Sequence, residues 1–261
     1  MATLSTDGML AVAAALGVQT FPTVLGVRST HTSHADFAAA RAAAVTDLSG
    51  RGILDRDGEV RDDELSAALF ALARPERQLV ARIKRADNLI RFCLARRGLD
   101  HAVAVRTGDD LEVRTVWAGD DPATLARPLL AVLGTAAAAN VPAFSAPTEE
   151  LRQRLDDPAV DITAAAYGLG MPEPDAVTLG LALRERHSTA ELVCYSHRDG
   201  LAVRSPAAAA VYDTAAGRII GGGSVTADGR SWTTLAPGSD GRLAQVIASL
   251  VESLPEGRWM P

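Results

Sequence analysis

Aromatic residues fill only 4% of the 261 positions, and cysteine occurs twice, at Cys93 and Cys194. Two thiols in apolar, strand-like runs are too few for a disulfide framework and read as small buried hydrophobes. Positive charge is not in excess: 26 Lys and Arg stand against 32 Asp and Glu, a net charge of −6. A nucleic-acid binder gathers cations to neutralise phosphates, whereas these arginines are scattered among acids, so no nucleic-acid partner is expected. Long apolar runs are missing too. The longest, residues 129–144, is broken by Gly134, Asn140 and Pro142, and a bilayer span takes about 20 residues. The short apolar run 9–16 has no basic segment before it, so no secretory leader is read. These absences point to a cytoplasmic protein without membrane insertion, with a core of Ala, Leu and Val.

Reactive motifs are equally scarce. There is no G-x-S-x-G. Gly221, Gly222 and Gly223 precede Ser224, but no Gly-Lys-Ser/Thr follows, so the phosphate-cradling loop is excluded on spacing. Three glycines in a strand suit a bend or a close approach of another segment. His31 and His34 form an H-x-x-H pair with no third ligand nearby, better read as a solvated loop. His101, His187 and His197 fall at the ends of elements, where exposed or capping histidines are common. Asp55-Arg56-Asp57-Gly58 resembles the start of a calcium loop, but its glycine comes fourth where the sixth position needs it. Asp120 with Asp121, and Asp156 with Asp157, read as helix caps. No enzyme activity, cofactor or metal is expected.

What the sequence does contain is a repeat. A helix, several alternating strands and a second helix run from about Asp62 to Gly134, and again from about Asp175 to Leu254. The two closing helices align at Leu125, Ala126 and Leu129 against Leu243, Ala244 and Ile247, 118 residues apart.

Within this frame, residues 8–16, 36–48 and 62–72 read as helices. Residues 21–27 read as a strand with Pro22 at its start. Strands follow at 79–84, 89–94, 101–106 and 111–117, with Gly108-Asp109 as a hairpin turn. Asp121 and Pro122 open a helix that Pro128 should kink. The stretch 136–174 reads as helical and punctuated, with helices at 148–155, 161–167 and then 175–186. Strands return at 191–197, 201–204, 208–213, 218–222 and 231–235. The last helix carries Leu243, Val246, Ile247, Leu250, Val251 and Leu254 on one stripe that must be buried. Trp259, so near the end, pins the tail to the body or shares in an interface. Tight turns between successive strands require antiparallel pairing. The architecture expected is α+β: a central antiparallel β-sheet with a quasi-two-fold repeat, helices on its face and ends.

Several segments together resemble the EspG family. They are Phe21-Pro-Thr-Val-Leu-Gly-Val-Arg28, Arg51-Gly-Ile-Leu-Asp-Arg-Asp-Gly-Glu-Val60 running on to Leu72-Ala-Arg-Pro75, and Leu94-Ala-Arg-Arg-Gly98. Ala102–Asp109, Leu111–Val116, Asn140-Val-Pro142 with Glu149-Glu150-Leu151, and Leu254-Pro-Glu-Gly-Arg-Trp259 complete the set. The likeness runs nearly end to end. It implies a single domain over 1–261, with pseudo-symmetric halves of about 1–138 and 139–261 and a sheet flanked by two helical bundles. It implies a cytosolic chaperone of ESX (type VII) secretion in actinobacteria. Such a chaperone binds PE–PPE heterodimers through the PPE tip, keeps them soluble and targets them for export, with no cofactor. The family carries no short interface motif, so partner-binding residues are assigned by position on the second-copy strands: Arg204, Ser205, Tyr212, Ile219, Ser224 and Trp232. Ordinary packing or solvation is the competing reading of each. The alternative function is a non-catalytic homo-oligomeric or small-ligand-binding scaffold, and a homodimer of the free protein stays open.

Overall fold

Two passes through one element order build the protein, seen in a computed structural model that describes residues 1–155, 161–226 and 228–261. The first pass is β1 (Ala2–Leu4), α1 (Thr6–Ala15), α2 (His34–Gly50), α3 (Asp63–Ala73), β2 (Arg77–Arg85), β3 (Asn88–Arg97), β4 (Asp100–Thr107), β5 (Asp110–Thr115) and α4 (Pro122–Leu133). The second is β6 (Phe144–Pro147), α5 (Thr148–Leu155), α6 (Ile162–Gly168), α7 (Glu173–Arg184), β7 (Arg186–Arg198), β8 (Leu201–Arg204), β9 (Ala209–Thr214), β10 (Gly217–Val225), β11 (Ser231–Pro237) and α8 (Asp240–Glu252). Among the described residues each pass gives one strand, three α-helices, a strand meander and a closing helix; β8 is an extra strand of the second.

The strands form a single sheet in the order β1-β5-β4-β3-β2-β7-β9-β10-β11-β6, with β8 paired to the far end of β7. That order is palindromic about the β2–β7 pair, so the two passes meet at the sheet's centre. All pairings between these strands are antiparallel, as the short turns demand. At the β7–β8 turn Asp199 and Gly200 both take positive φ, 51° and 78°, the conformation a two-residue hairpin needs. Helix starts are capped as side-chain chemistry predicts: Ser5, Ser33, Asp62, Asp121, Asp161 and Ser239 each accept a backbone N–H of the first turn.

Alternation splits the sheet into two faces. Leu79, Ala81 and Ile83 of β2 and Ala190, Leu192 and Cys194 of β7 point into one core, closed by α4 and α8 packed side by side. The α8 stripe is buried as expected, each Leu, Ile or Val contributing about 1.5–3 kcal/mol. Gly222 lets α8 come close, since a Cβ there would lie 2.9 Å from Val246 Cγ2. On the other face the helices stay apart. Helices α1 to α3 cover β3 to β5, and α5 to α7 cover β9 to β11.

Some local expectations are corrected. Residues 21–27 form no strand; Thr23–Leu25 is a turn of 3-10 helix, held by guanidinium groups from distant strands. Ala2–Leu4 and Phe144–Pro147 are strands, each the outermost of its half. Trp117 lies beyond β5 and is 66% exposed. Pro128 sits inside α4 without ending it. His101 is neither exposed nor a cap: it is buried, its Nδ1 bonded to the Leu99 carbonyl at 3.0 Å. Asp120 does not cap a helix but accepts two N–H groups of the C-terminal tail. Asp156 and Asp157 lie outside the described residues.

A buried arginine, ion-paired within the second half, reaches across to the first. Arg218 of β10 donates from Nε to Asp213 Oδ1 at 2.7 Å and from Nη2 to the Gly134 carbonyl at 3.0 Å. Its backbone also bonds Ala137 and Ala139, so the segment after α4 is stitched to the second meander.

Candidate docking cleft

Because the two three-helix layers stand apart, the central strands β2 and β7 keep part of one face uncovered: Arg82, Lys84 and Glu191 are exposed, whereas Gln78 and Val80 are buried. The register sets Gln78 opposite Tyr195, Val80 opposite Val193, Arg82 opposite Glu191 and Lys84 opposite Thr189. These side chains form the floor. One end is a concavity of about 450 Å³ that includes Val24, Val80, Val193, Tyr195 and Arg204 in its lining. The other, about 760 Å³, has Lys84, Leu89, Leu183 and Tyr212 in its wall. Arg82 and Glu191 line both, so the two form one trough along the β2–β7 pair at the centre of the sheet. Its walls are the Thr23–Leu25 turn on the first-copy side and α6 and α7, through Ile162 and Leu183, on the second-copy side.

The floor is braced at one end by His197. Gln78 Oε1 meets His197 Nε2 at 3.1 Å, and the rings of Tyr195 and His197 lie 6.2 Å apart. Burial, with Arg77 adding to it, holds His197 below its ordinary pKa, which favours the neutral imidazole at pH 7. The trough therefore offers apolar surface, aromatic edges and exposed charge. Among the described residues no three His, Cys, Asp or Glu side chains converge as a metal site would need. His31 instead meets Asp7 at 3.0 Å, and His34 opens α2.

The six residues assigned by position fall into three places. Arg204 and Tyr212 line the trough, at opposite ends. Ser205 and Ile219 are 0% exposed. Ser205 accepts the Cys194 N–H and donates to the Ala207 carbonyl, fixing the corner between β8 and β9, and Ile219 packs under α7. Ser224 and Trp232 pair across β10–β11 near that hairpin's turn. Position alone missed Arg82, Lys84, Glu191, Val193 and Tyr195. The signal was present: Arg82 and Lys84 alternate with the buried Ala81 and Ile83 in a strand at the middle of the sheet, and a central strand with charged residues on one face leaves that part of the face open.

Residues 5–249 match the EspG family. The chain is 30% identical to the ESX-1 secretion-associated protein EspG1 of Mycobacterium marinum over 257 residues, 97% of this chain and 88% of that protein. It is 26% identical to the ESX-3 secretion-associated protein EspG3 of Mycolicibacterium smegmatis, covering 99% and 88% of the two. Among solved structures, the Mycobacterium tuberculosis type VII secretion system chaperone EspG5, in complex with a PE25–PPE41 dimer, superposes with a TM-score of 0.80. That match covers 99% of this chain and 98% of EspG5 at 22% identity, a likeness of fold.

Proposed function

The chain belongs to the EspG family, and on that premise we propose that it is a cytoplasmic chaperone of type VII secretion that binds a PE–PPE-like heterodimer by its helical tip. We also read it as a single domain whose halves divide near residues 138 and 139, and as a binding protein without catalytic activity. What carries the proposal is the open floor of β2 and β7 between two helical walls.

The physical logic is that of a cap. A secreted bundle with an apolar tip aggregates through that tip while it waits for export. Leu89, Val193 and Tyr195 provide apolar surface to cover it, with Val80 and Leu183 buried behind them, and the charged residues among them set register and select the partner. Release must follow, which suits an interface of ordinary size, about 800 Å² per partner.

Co-expression with PE–PPE pairs from the same genome tests this. The expected result is a soluble complex containing one copy of each of the three chains. Failure to capture any such pair, with the pairs themselves soluble and folded, would remove the proposal.

A further inference from the structure

The trough floor carries a concentration of positive charge that the fold does not explain. Pairing sets Arg82 beside Arg91, and Arg91 beside Arg106, so three guanidinium side chains leave one face of adjacent strands, roughly 5 Å apart. Arg82, Arg106 and Arg28 all repel Arg91, whose pKa is lowered by burial first and then by these three cations. Two members of the row have a structural task. Arg91 donates to the Val24 carbonyl at 3.1 Å, and Arg106 to the carbonyls of Leu25 at 3.0 Å and Gly26 at 2.6 Å. Together they hold the Thr23–Leu25 turn, with Gly26 at φ 60° giving them room.

Arg82 and Lys84 have no such task. Both are exposed, and neither side chain has an ion pair or hydrogen bond among the described residues. Lys84 is also the only lysine in the chain. Among the described residues Glu191 is the one carboxylate lining either concavity, against Arg82, Lys84, Arg186 and Arg204. A protein of net charge −6 thus concentrates cations along this trough, where partly apolar walls strengthen their field.

We infer that the segment seated in this trough carries carboxylates that meet Arg82 and Lys84, so that an acidic helical tip is the kind of partner this chain selects. The inference rests on the docking reading above and adds the chemistry of the tip. A small free oxyanion would leave Leu89, Val193 and Tyr195 uncovered, whereas a protein tip with apolar and acidic residues uses both. Exposed charges of this kind act chiefly on encounter rate and partner choice.

Lys84 makes the test direct, because it and the N-terminus are the chain's only amines. The complex with a PE–PPE heterodimer from the same genome is treated with a zero-length carbodiimide and digested, and cross-links are read by mass spectrometry. The expected product is an amide between Lys84 Nζ and an Asp or Glu of the heterodimer. In parallel, Arg82→Glu should weaken association at least about tenfold and flatten its salt dependence, with thermal melts confirming the fold. Val193→Asp tests the trough itself. If the complex forms without a Lys84 cross-link and Arg82→Glu binds like wild type while Val193→Asp does not, the acidic-tip inference fails and docking in the trough stands. If Val193→Asp is also silent, the docking reading fails too. A Lys84 cross-link only to a second copy of this chain would give the trough to a homodimer and overturn the inference.

Discussion

The backbone N–H of Trp259 donates to Asp120 Oδ1 at 2.9 Å, across 139 residues of sequence. Met260 gives its N–H to the same oxygen at 2.8 Å, and the Trp259 ring stacks over His101 at 6.2 Å. Arg77 adds bonds to the carbonyls of Arg258 and Pro255. The tail is therefore part of the core. Trp259→Ala should cost about 3–5 kcal/mol and Asp120→Ala about 1–3 kcal/mol, measured by urea denaturation. An unchanged midpoint in both variants would mean that the tail is dispensable.

Stability should fall in mild acid. Burial holds His101 below its ordinary pKa; Arg96 adds to the lowering, while the Leu99 carbonyl and Asp100 oppose it. His197 is lowered as well, by burial and then by Arg77. A lowered folded-state value means that the unfolded chain takes up the proton first. The stabilisation is complete above the unfolded value, near 6.5, and is lost as the pH drops through it towards the folded value. The melting temperature should decline from about pH 7.5 to about pH 5, and less steeply in His101→Phe. Parallel profiles for the two proteins would show that His101 plays no part.

Asp213→Ala should be among the most damaging single changes. It leaves the Arg218 guanidinium, 1% exposed, without its carboxylate at the joint between the halves. Removing one partner of a buried pair costs about 3–5 kcal/mol. Chemical denaturation of the purified variant gives the number, and a loss under about 1 kcal/mol would show that the pair is not needed to hold the joint.

Both thiols should be silent in the folded protein. Cys93 and Cys194 are fully buried; burial raises the Cys93 pKa and pushes that of Cys194 up to about 12, with Arg77 pulling the latter slightly down. The two lie on opposite faces of the sheet and in strands separated by β2. A thiol reagent should titrate neither residue before denaturation and both after it. Reaction of the native protein would contradict the described core.

Sequence reading recovered those features that local chemistry determines. The Asp199-Gly200 turn, the α8 stripe and the helix start at Asp121 each need only neighbouring residues to form. The close approach allowed by Gly222 was legible as a class of event, though not which element approaches. Residues 21–27 defeated the reading because their shape is set by Arg91 and Arg106, 67 and 81 positions from the carbonyls they hold. Phe144–Pro147 was missed because a four-residue edge strand ending in proline has no alternation to show. The trough was hidden for a related reason: β2 announces an open polar face, but only the pairing of β2 with β7 shows which residues share it.

The central claim is that the partner sits on the floor between the two helical walls, and site-directed photo-cross-linking tests it most directly. With the native thiols buried, a benzophenone maleimide can be placed on Val193→Cys in the trough or on Arg127→Cys, exposed on α4 across the sheet. Illumination with the PE–PPE heterodimer should couple the PPE chain to position 193 and leave position 127 unlinked. Coupling at 127 with none at 193 would place the partner on the wrong side of the sheet and contradict the account.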